Sequence, residues 1–113
     1  MAYATAFETF EATGRDGQLR KFSFKKAGFL AAGDQPELYF FEGSARPIAV
    51  CISGEALAAW QRAHRYLSRE EKIDVAGLFL KKRIEEGGEL TAEELRIAGS
   101  ELELLLQTLG IRE

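Results

Sequence analysis

The sequence predicts one α+β domain over residues 1–113, in which a four-stranded, mostly antiparallel β-meander precedes three α-helices. Residues 1–53 contain short apolar runs separated by turns rich in Gly, Pro and Asp, which is typical of strands. Residues 54–109 carry apolar side chains at helical spacing. The two parts meet where a strand-like run leads directly into a helix cap, and 113 residues leave no room for a second domain.

The first two strands are predicted on either side of an Asp-Gly turn. Residues 3–12 are rich in Tyr, Thr and Phe, but their alternation is imperfect, which leaves a helix open as the alternative. Residues 19–26 alternate well, so two faces can be assigned. One face carries Arg20, Phe22 and Phe24, and the other carries Lys21, Ser23 and Lys25.

The third and fourth strands are predicted over residues 37–42 and 48–52, after a loop over residues 27–36. The fourth strand, Ile-Ala-Val-Cys-Ile, is apolar on both faces. A strand with two apolar faces is expected in the middle of a sheet.

Capping residues mark where three helices begin. Ser53 caps a first helix that is expected to run from about residue 54 to residue 67. Ser68 opens a capping box for the second helix, which Gly87-Gly88 ends. Thr91 opens another box for the third helix, which is expected to stop before residue 110. Its apolar stripe has heptad spacing: Leu95, Ala98, Leu102, Leu105, Leu109.

Composition narrows the class of protein. The single cysteine, Cys51, forbids an internal disulfide and suits a reducing compartment. The first 12 residues lack the basic and apolar regions of a signal peptide, and no apolar run approaches the ~20 residues that span a bilayer. We therefore expect a cytoplasmic protein that does not enter a membrane. The net charge of −3 conceals a mildly basic stretch before residue 85 and an acidic one after it.

Catalytic and metal-binding candidates are few. Cys51 and His64 are the only Cys and His, and His64 lies about three helical turns beyond the strand that holds Cys51, so a dyad is not expected. Cys51 is better explained as a small buried hydrophobe. A pocket between sheet and helices, lined by Cys51, Trp60 and His64, is the remaining ligand-binding hypothesis. We therefore expect no enzyme activity and no cofactor. We also expect no metal, because His64 has no second ligand at helical spacing.

Two surfaces are candidates for binding a partner. The third helix is apolar on more than one face, which favours a homodimer or protein partner contacting Leu102, Leu105, Leu106 and Leu109. The second strand combines basic residues with Phe22 and Phe24, a composition found in single-stranded nucleic-acid binders. Its basic residues are Arg20, Lys21, Lys25 and Lys26. Alternation directs the Phe side chains to a core and most Lys side chains to solvent, which favours an ordinary half-covered sheet.

Residues 50–57, Val-Cys-Ile-Ser-Gly-Glu-Ala-Leu, resemble the strand-to-helix junction of a family of short uncharacterised bacterial proteins, classed only as a domain of unknown function. Residues 89–95 are similar to a second segment of that family, and the resemblance covers about residues 38–95. The N-terminal third and the long third helix depart from it. The resemblance implies a bacterial protein without enzymatic activity and transfers no catalytic residue.

Together these patterns predict a non-catalytic interaction module, a small regulatory or adaptor protein that acts through protein–protein contacts. Nucleic-acid binding by a basic and aromatic sheet surface is the first alternative. Binding of a small ligand is the second.

Overall fold

The computed structural model describes residues 7–29, 36–43, 47–87 and 95–111, and within them the predicted α+β class is confirmed. Its elements follow one another along the chain in this order: β1 Thr9–Thr13, β2 Leu19–Phe29, β3 Glu37–Glu42, β4 Ile48–Ile52, α1 Gly54–Ala63, α2 Arg69–Glu85, β5 Arg96–Ile97, α3 Gly99–Thr108. Within these described ranges, three helices are present as predicted, but the sheet has a fifth strand.

The sheet has the order β1-β2-β3-β4-β5. Its first four strands pair with their sequence neighbours in antiparallel fashion, which confirms the predicted meander. Strand β5 pairs with β4 in parallel. Strand β4 therefore has a neighbour on each side, as its two apolar faces indicate.

The predicted start of the third helix is wrong. Residues 95–98 are not helical; Arg96–Ile97 forms β5, and α3 begins only at Gly99. The Cys51 amide donates to the Leu95 carbonyl over 2.8 Å, and the Ser53 amide donates to the Ile97 carbonyl over 3.1 Å. Pairing with the open edge of β4 satisfies these groups and overrides the local heptad pattern. The capping box that begins at Thr91 lies outside the described residues.

Strand β2 extends to Phe29, three residues into the segment predicted as a loop. Its pairing with β3 shifts between Phe24, which lies opposite Phe41, and Lys26, which lies opposite Phe40. This bulge makes Lys25 an extra residue and changes the phase of the alternation. Lys26 therefore lies on the same face as Lys25, instead of the face that carries Phe24.

Strand β1 begins at Thr9, and the helix considered as an alternative for this segment is wrong for its described part. Residues 3–6 of the prediction lie outside the described chain. Helix α1 ends at Ala63, four residues earlier than expected, with His64 as its C-cap. The predicted capping box of α2 is confirmed, since Ser68 and Glu71 exchange hydrogen bonds between side chain and backbone amide.

Helix α2 lies at the centre of the core. It contacts β1, β3 and β4, and all eight residues from Ile73 to Leu80 are buried. Helix α3 packs against α2, and α1 packs against α3. The segment before β1 also rests on α2, where the Phe7 amide donates to the Asp74 carboxylate over 2.8 Å. In the described part of the chain, no helix is long and apolar enough to cross a membrane.

Candidate functional site

The two faces of the sheet differ in burial. Along β3 and β4, the side chains of Tyr39, Phe41, Val50 and Ile52 are fully buried on the face that α2 covers. The side chains between them point the other way and stay partly exposed: Leu38, Phe40, Ala49, Cys51. Because the described helices stack on α2 or on one another, they all lie on the first side. We call the second side the outer face.

Cross-strand pairing arranges the outer face into two neighbouring rows. One row joins Lys26, Phe40 and Ala49, and the next joins Gly28, Leu38, Cys51 and Arg96. The ammonium of Lys26 lies 5.3 Å from the centre of the Phe40 ring. A central apolar strip is thus bordered by Lys26 on β2 and by Arg96 on β5.

The structure separates the four basic residues singled out in the sequence. Lys21, Lys25 and Lys26 lie exposed on the outer face, whereas Arg20 lies on the inner side, at the rim of the sheet. Arg20 pairs with Asp16 of the adjoining turn over 3.3 Å.

Acidic residues compete for part of this basic surface. Lys21 lies opposite Glu11 on β1, and Lys25 pairs with Glu42 over 3.8 Å. The two rows that contain Lys26 and Arg96 hold no carboxylate among the described residues. Positive charge without a facing acid is therefore found at the two ends of these rows, at Lys26 on β2 and at Arg96 on β5.

The predicted aromatic partners of the lysines lie on the opposite face. Phe22 is buried and stacks on Phe10 with ring centres 5.5 Å apart. Phe24 is packed against the core, with the Arg69 guanidinium 5.2 Å from its ring centre. Among the described residues, the aromatic ring on the outer face is that of Phe40, which no local sequence pattern singles out. The alternation of β3 contains this signal, but its phase can be chosen only when the face covered by α2 is known.

The predicted interface leucines of α3 lie mostly in the core. Leu102, Leu105 and Leu106 are only 1%, 3% and 1% exposed, and Leu109 is partly buried. They cannot contact a partner without leaving the packing against α1 and α2. The exposed apolar side chain of this helix is Leu104, at 59%.

Leu104 borders a cleft of about 320 Å³ between α2 and α3. Its floor is apolar, and both helices contribute charged residues to its walls. The lining residues are Phe79, Lys82, Arg83, Glu86, Glu101, Leu104 and Leu105.

The three residues of the hypothetical ligand pocket are not brought together. Cys51 lies on the outer face beside Arg96, whereas Trp60 lies on α1 and His64 is its C-cap, with the Trp60 and His64 ring centres 4.4 Å apart. Burial raises the pKa of the Cys51 thiol, and the nearby Arg96 guanidinium offsets only part of that rise. A thiol with a raised pKa stays protonated at neutral pH and is a poor nucleophile.

A polar cluster on the inner side joins β3 to α2. The Tyr39 hydroxyl donates to Glu37 over 2.6 Å, and the Lys72 ammonium donates to the same carboxylate over 3.1 Å. Burial and the hydrogen bond to Glu37 raise the pKa of Tyr39 far above its ordinary value, so it remains a neutral phenol. These groups satisfy one another, which is a structural role. Across the described ranges, no group of three or more Asp, Glu, His or Cys side chains is arranged to hold a metal ion.

Comparison with known proteins gives this chain no family. No family model matches it, and neither does any curated protein or solved structure. The resemblance to the bacterial family of unknown function therefore stays a prediction.

Proposed function

We propose that this protein is a non-catalytic interaction module that binds an anionic macromolecule on the outer face of its sheet. The observation that carries this proposal is the apolar strip around Phe40, bordered by Lys26 and Arg96 in rows without a carboxylate. An apolar patch rimmed by charge is typical of a binding surface. Cations at both borders favour a negatively charged partner.

The separation of the candidate catalytic groups supports the non-catalytic part of the proposal. Cys51 carries a thiol whose pKa is raised, and His64 is the C-cap of α1, which packs on α3 in the helical layer. Neither has the arrangement of a nucleophile next to its base. A small regulatory or adaptor role in a reducing, cytoplasmic setting is part of the same proposal, which the free thiol of Cys51 supports.

Matched charge reversals test this surface. Lys26→Glu and Arg62→Glu change the net charge equally, but Lys26 is on the outer face and Arg62 is an exposed residue of α1. The probes are single-stranded and double-stranded oligonucleotides and inorganic polyphosphate, titrated at low and moderate salt. We expect Lys26→Glu to weaken binding of at least one probe several-fold more than Arg62→Glu. Equal effects of the two variants, or no binding of any probe, would contradict the proposal.

A second candidate function is self-association through the cleft between α2 and α3, with a second copy of this chain as the occupant. Leu104 is 59% exposed beside a floor formed by Phe79 and Leu105. The α2 wall carries two cations and Glu86, and the α3 wall carries Glu101. A two-fold axis can therefore set the cations of one copy against Glu101 of the other.

Light scattering over a range of protein concentrations tests this second candidate. We expect the mass of a dimer for the wild type and of a monomer for Leu104→Glu. Glu103→Lys changes an exposed neighbour on α3 and should leave the dimer intact. A wild-type protein that stays monomeric at every concentration would remove the candidate.

A further inference from the structure

We infer that the macromolecule bound by the outer face is a single-stranded nucleic acid whose bases stack on Phe40. This inference rests on the proposed function and narrows it to one class of partner. Phe40 is the aromatic side chain at the centre of the outer face, and its ring is partly exposed. Bases of a single strand present free aromatic faces, whereas a duplex keeps its bases stacked inside and an acidic peptide needs no aromatic platform.

The neighbours of Phe40 leave its ring accessible from above. In the adjacent row, Gly28 contributes no side chain, and a Cβ added there would meet only the Phe40 ring, at 3.7 Å. On the other flank, Ala49 contributes a single methyl group. Small residues at these two positions leave room for a base to approach the ring.

Lys26 supplies the charge next to this platform. Its ammonium rests 5.3 Å from the Phe40 ring centre, an exposed cation–π contact that is weak and easily exchanged. When a base occupies the ring, the flexible lysine stem lets the ammonium move to the adjoining phosphate. The bulge after Phe24 is what brings Lys26 to this face, and bulges commonly redirect a side chain in this way.

Arg96 provides a second positive charge for the phosphates of the bound strand. It lies on β5, across β3 and β4 from Lys26, and its guanidinium lies near the Cys51 thiol on the outer face. Glu11 lies on β1 and Glu42 lies at the end of β3, and each neighbours a lysine. Repulsion from these carboxylates directs the phosphates across the two rows that contain Lys26 and Arg96.

Fluorescence anisotropy with a labelled oligothymidine of about twelve nucleotides measures the interaction. Two to three phosphate contacts predict a loss of affinity of about 7-fold to 20-fold between 50 mM and 200 mM salt. Phe40→Leu removes the stacking platform and should weaken binding by about 5-fold to 150-fold. Tyr66→Leu, which removes an exposed aromatic ring away from the sheet, should leave the affinity unchanged.

A second variant reports stacking directly. Phe40→Trp in a Trp60→Phe background places the only tryptophan of the chain on the outer face. Its fluorescence should be quenched when the oligothymidine binds, because stacking on a base quenches indole emission. This readout does not depend on whether Phe40→Leu folds normally.

The outcomes separate this inference from the function on which it rests. Three results would overturn single-strand stacking. They are competition by polyphosphate that is as strong as that by oligothymidine, an unchanged affinity of Phe40→Leu for the oligothymidine, and tighter binding of a duplex. Each of these results would still leave a cationic surface that Lys26→Glu weakens and Arg62→Glu does not. If Lys26→Glu and Arg62→Glu behave alike, the proposed function fails and the stacking inference fails with it.

Discussion

The pair formed by Glu71 and Arg65 provides a sharp test of how the helical layer is held together. Glu71 is only 5% exposed. Its carboxylate accepts two hydrogen bonds from the Arg65 guanidinium, over 2.9 and 2.8 Å. It also accepts the Ser68 amide over 2.9 Å, which closes the capping box of α2. One carboxylate thus joins the α1–α2 connection to the first turn of α2.

Glu71→Gln keeps the size of the side chain but sets an NH₂ group against the donors of Arg65. Losing a charge-assisted hydrogen bond at a buried acceptor costs about 1.5–3 kcal/mol. The Arg65 side chain is 38% exposed and can be rehydrated, so we expect a loss near the lower part of this range, about 2 kcal/mol. For a chain of this length, that loss corresponds to a fall in Tm of about 8 °C.

Urea denaturation followed by circular dichroism measures this change in the free energy of unfolding. The matched control is Glu85→Gln, which breaks the Lys81–Glu85 pair, whose carboxylate side chain is exposed to solvent. We expect this control to cost no more than about 0.5 kcal/mol. If Glu71→Gln and Glu85→Gln destabilise the protein equally, the buried pair does not have the role assigned to it.

The same pair predicts a dependence on pH. The Arg65 guanidinium and the Ser68 amide hold the pKa of Glu71 below its ordinary value. A carboxylate with a lowered pKa in the folded state stabilises the protein above the pKa of the unfolded chain. That contribution is lost as the pH falls through the folded value. The difference between wild type and Glu71→Gln should therefore be full at pH 7 and shrink as the pH falls below the usual range of glutamate. A difference that stays constant into acid would refute the assignment.

Three further predictions concern the core and the thiol. Gly77→Ala should destabilise the protein by about 1–3 kcal/mol in urea titrations, since the new Cβ would lie 2.6 Å from the Cβ of Phe7. Leu106→Ala should cost about 2–5 kcal/mol in the same assay, because its side chain is buried among the helices. Cys51 should react with a disulfide reagent at pH 7 more slowly in the folded than in the urea-unfolded chain, because burial raises its pKa.

Each of these predictions has a matched comparison. Gly99→Ala introduces a Cβ that meets nothing within 4 Å and should change stability by less than about 0.5 kcal/mol. Leu19→Ala removes a leucine that is 59% exposed, outside the core, and should be similarly mild. The packing described above would be contradicted if either control variant lost as much stability as its core counterpart. It would also be contradicted if folded Cys51 reacted as fast as the unfolded thiol.

Local signals predict most of the elements but not the fifth strand. The Asp-Gly turn, the alternation of β2 before its bulge and the capping box at Ser68 depend on neighbouring residues, and all three are observed. Strand β5 is only two residues long and forms because β4 offers an unpaired edge. A contact with a strand more than 40 residues earlier leaves no local pattern, so heptad spacing around Leu95 predicts a helix instead.

The same dependence on distant contacts explains the outcome for the candidate site. The sequence identifies Lys21, Lys25 and Lys26, but the bulge that brings Lys26 to the outer face is a property of the pairing with β3. Phe40 is missed because nothing local tells which side of β3 the helices cover. The sequence predicts that the leucines of α3 contact a partner, because local patterns do not reveal that α2 is buried in the core. The buried surface of α2 is covered in part by these leucines.

Chemical-shift mapping by ¹H–¹⁵N NMR during titration with oligothymidine tests the central claim most directly, because it reports which surface of the chain is contacted. We expect the largest shifts at the amides of Lys26, Phe40 and Arg96, with little change at Leu104 beside the cleft between α2 and α3. Shifts centred on that cleft, or no shifts at all, would contradict a binding surface on the outer face of the sheet.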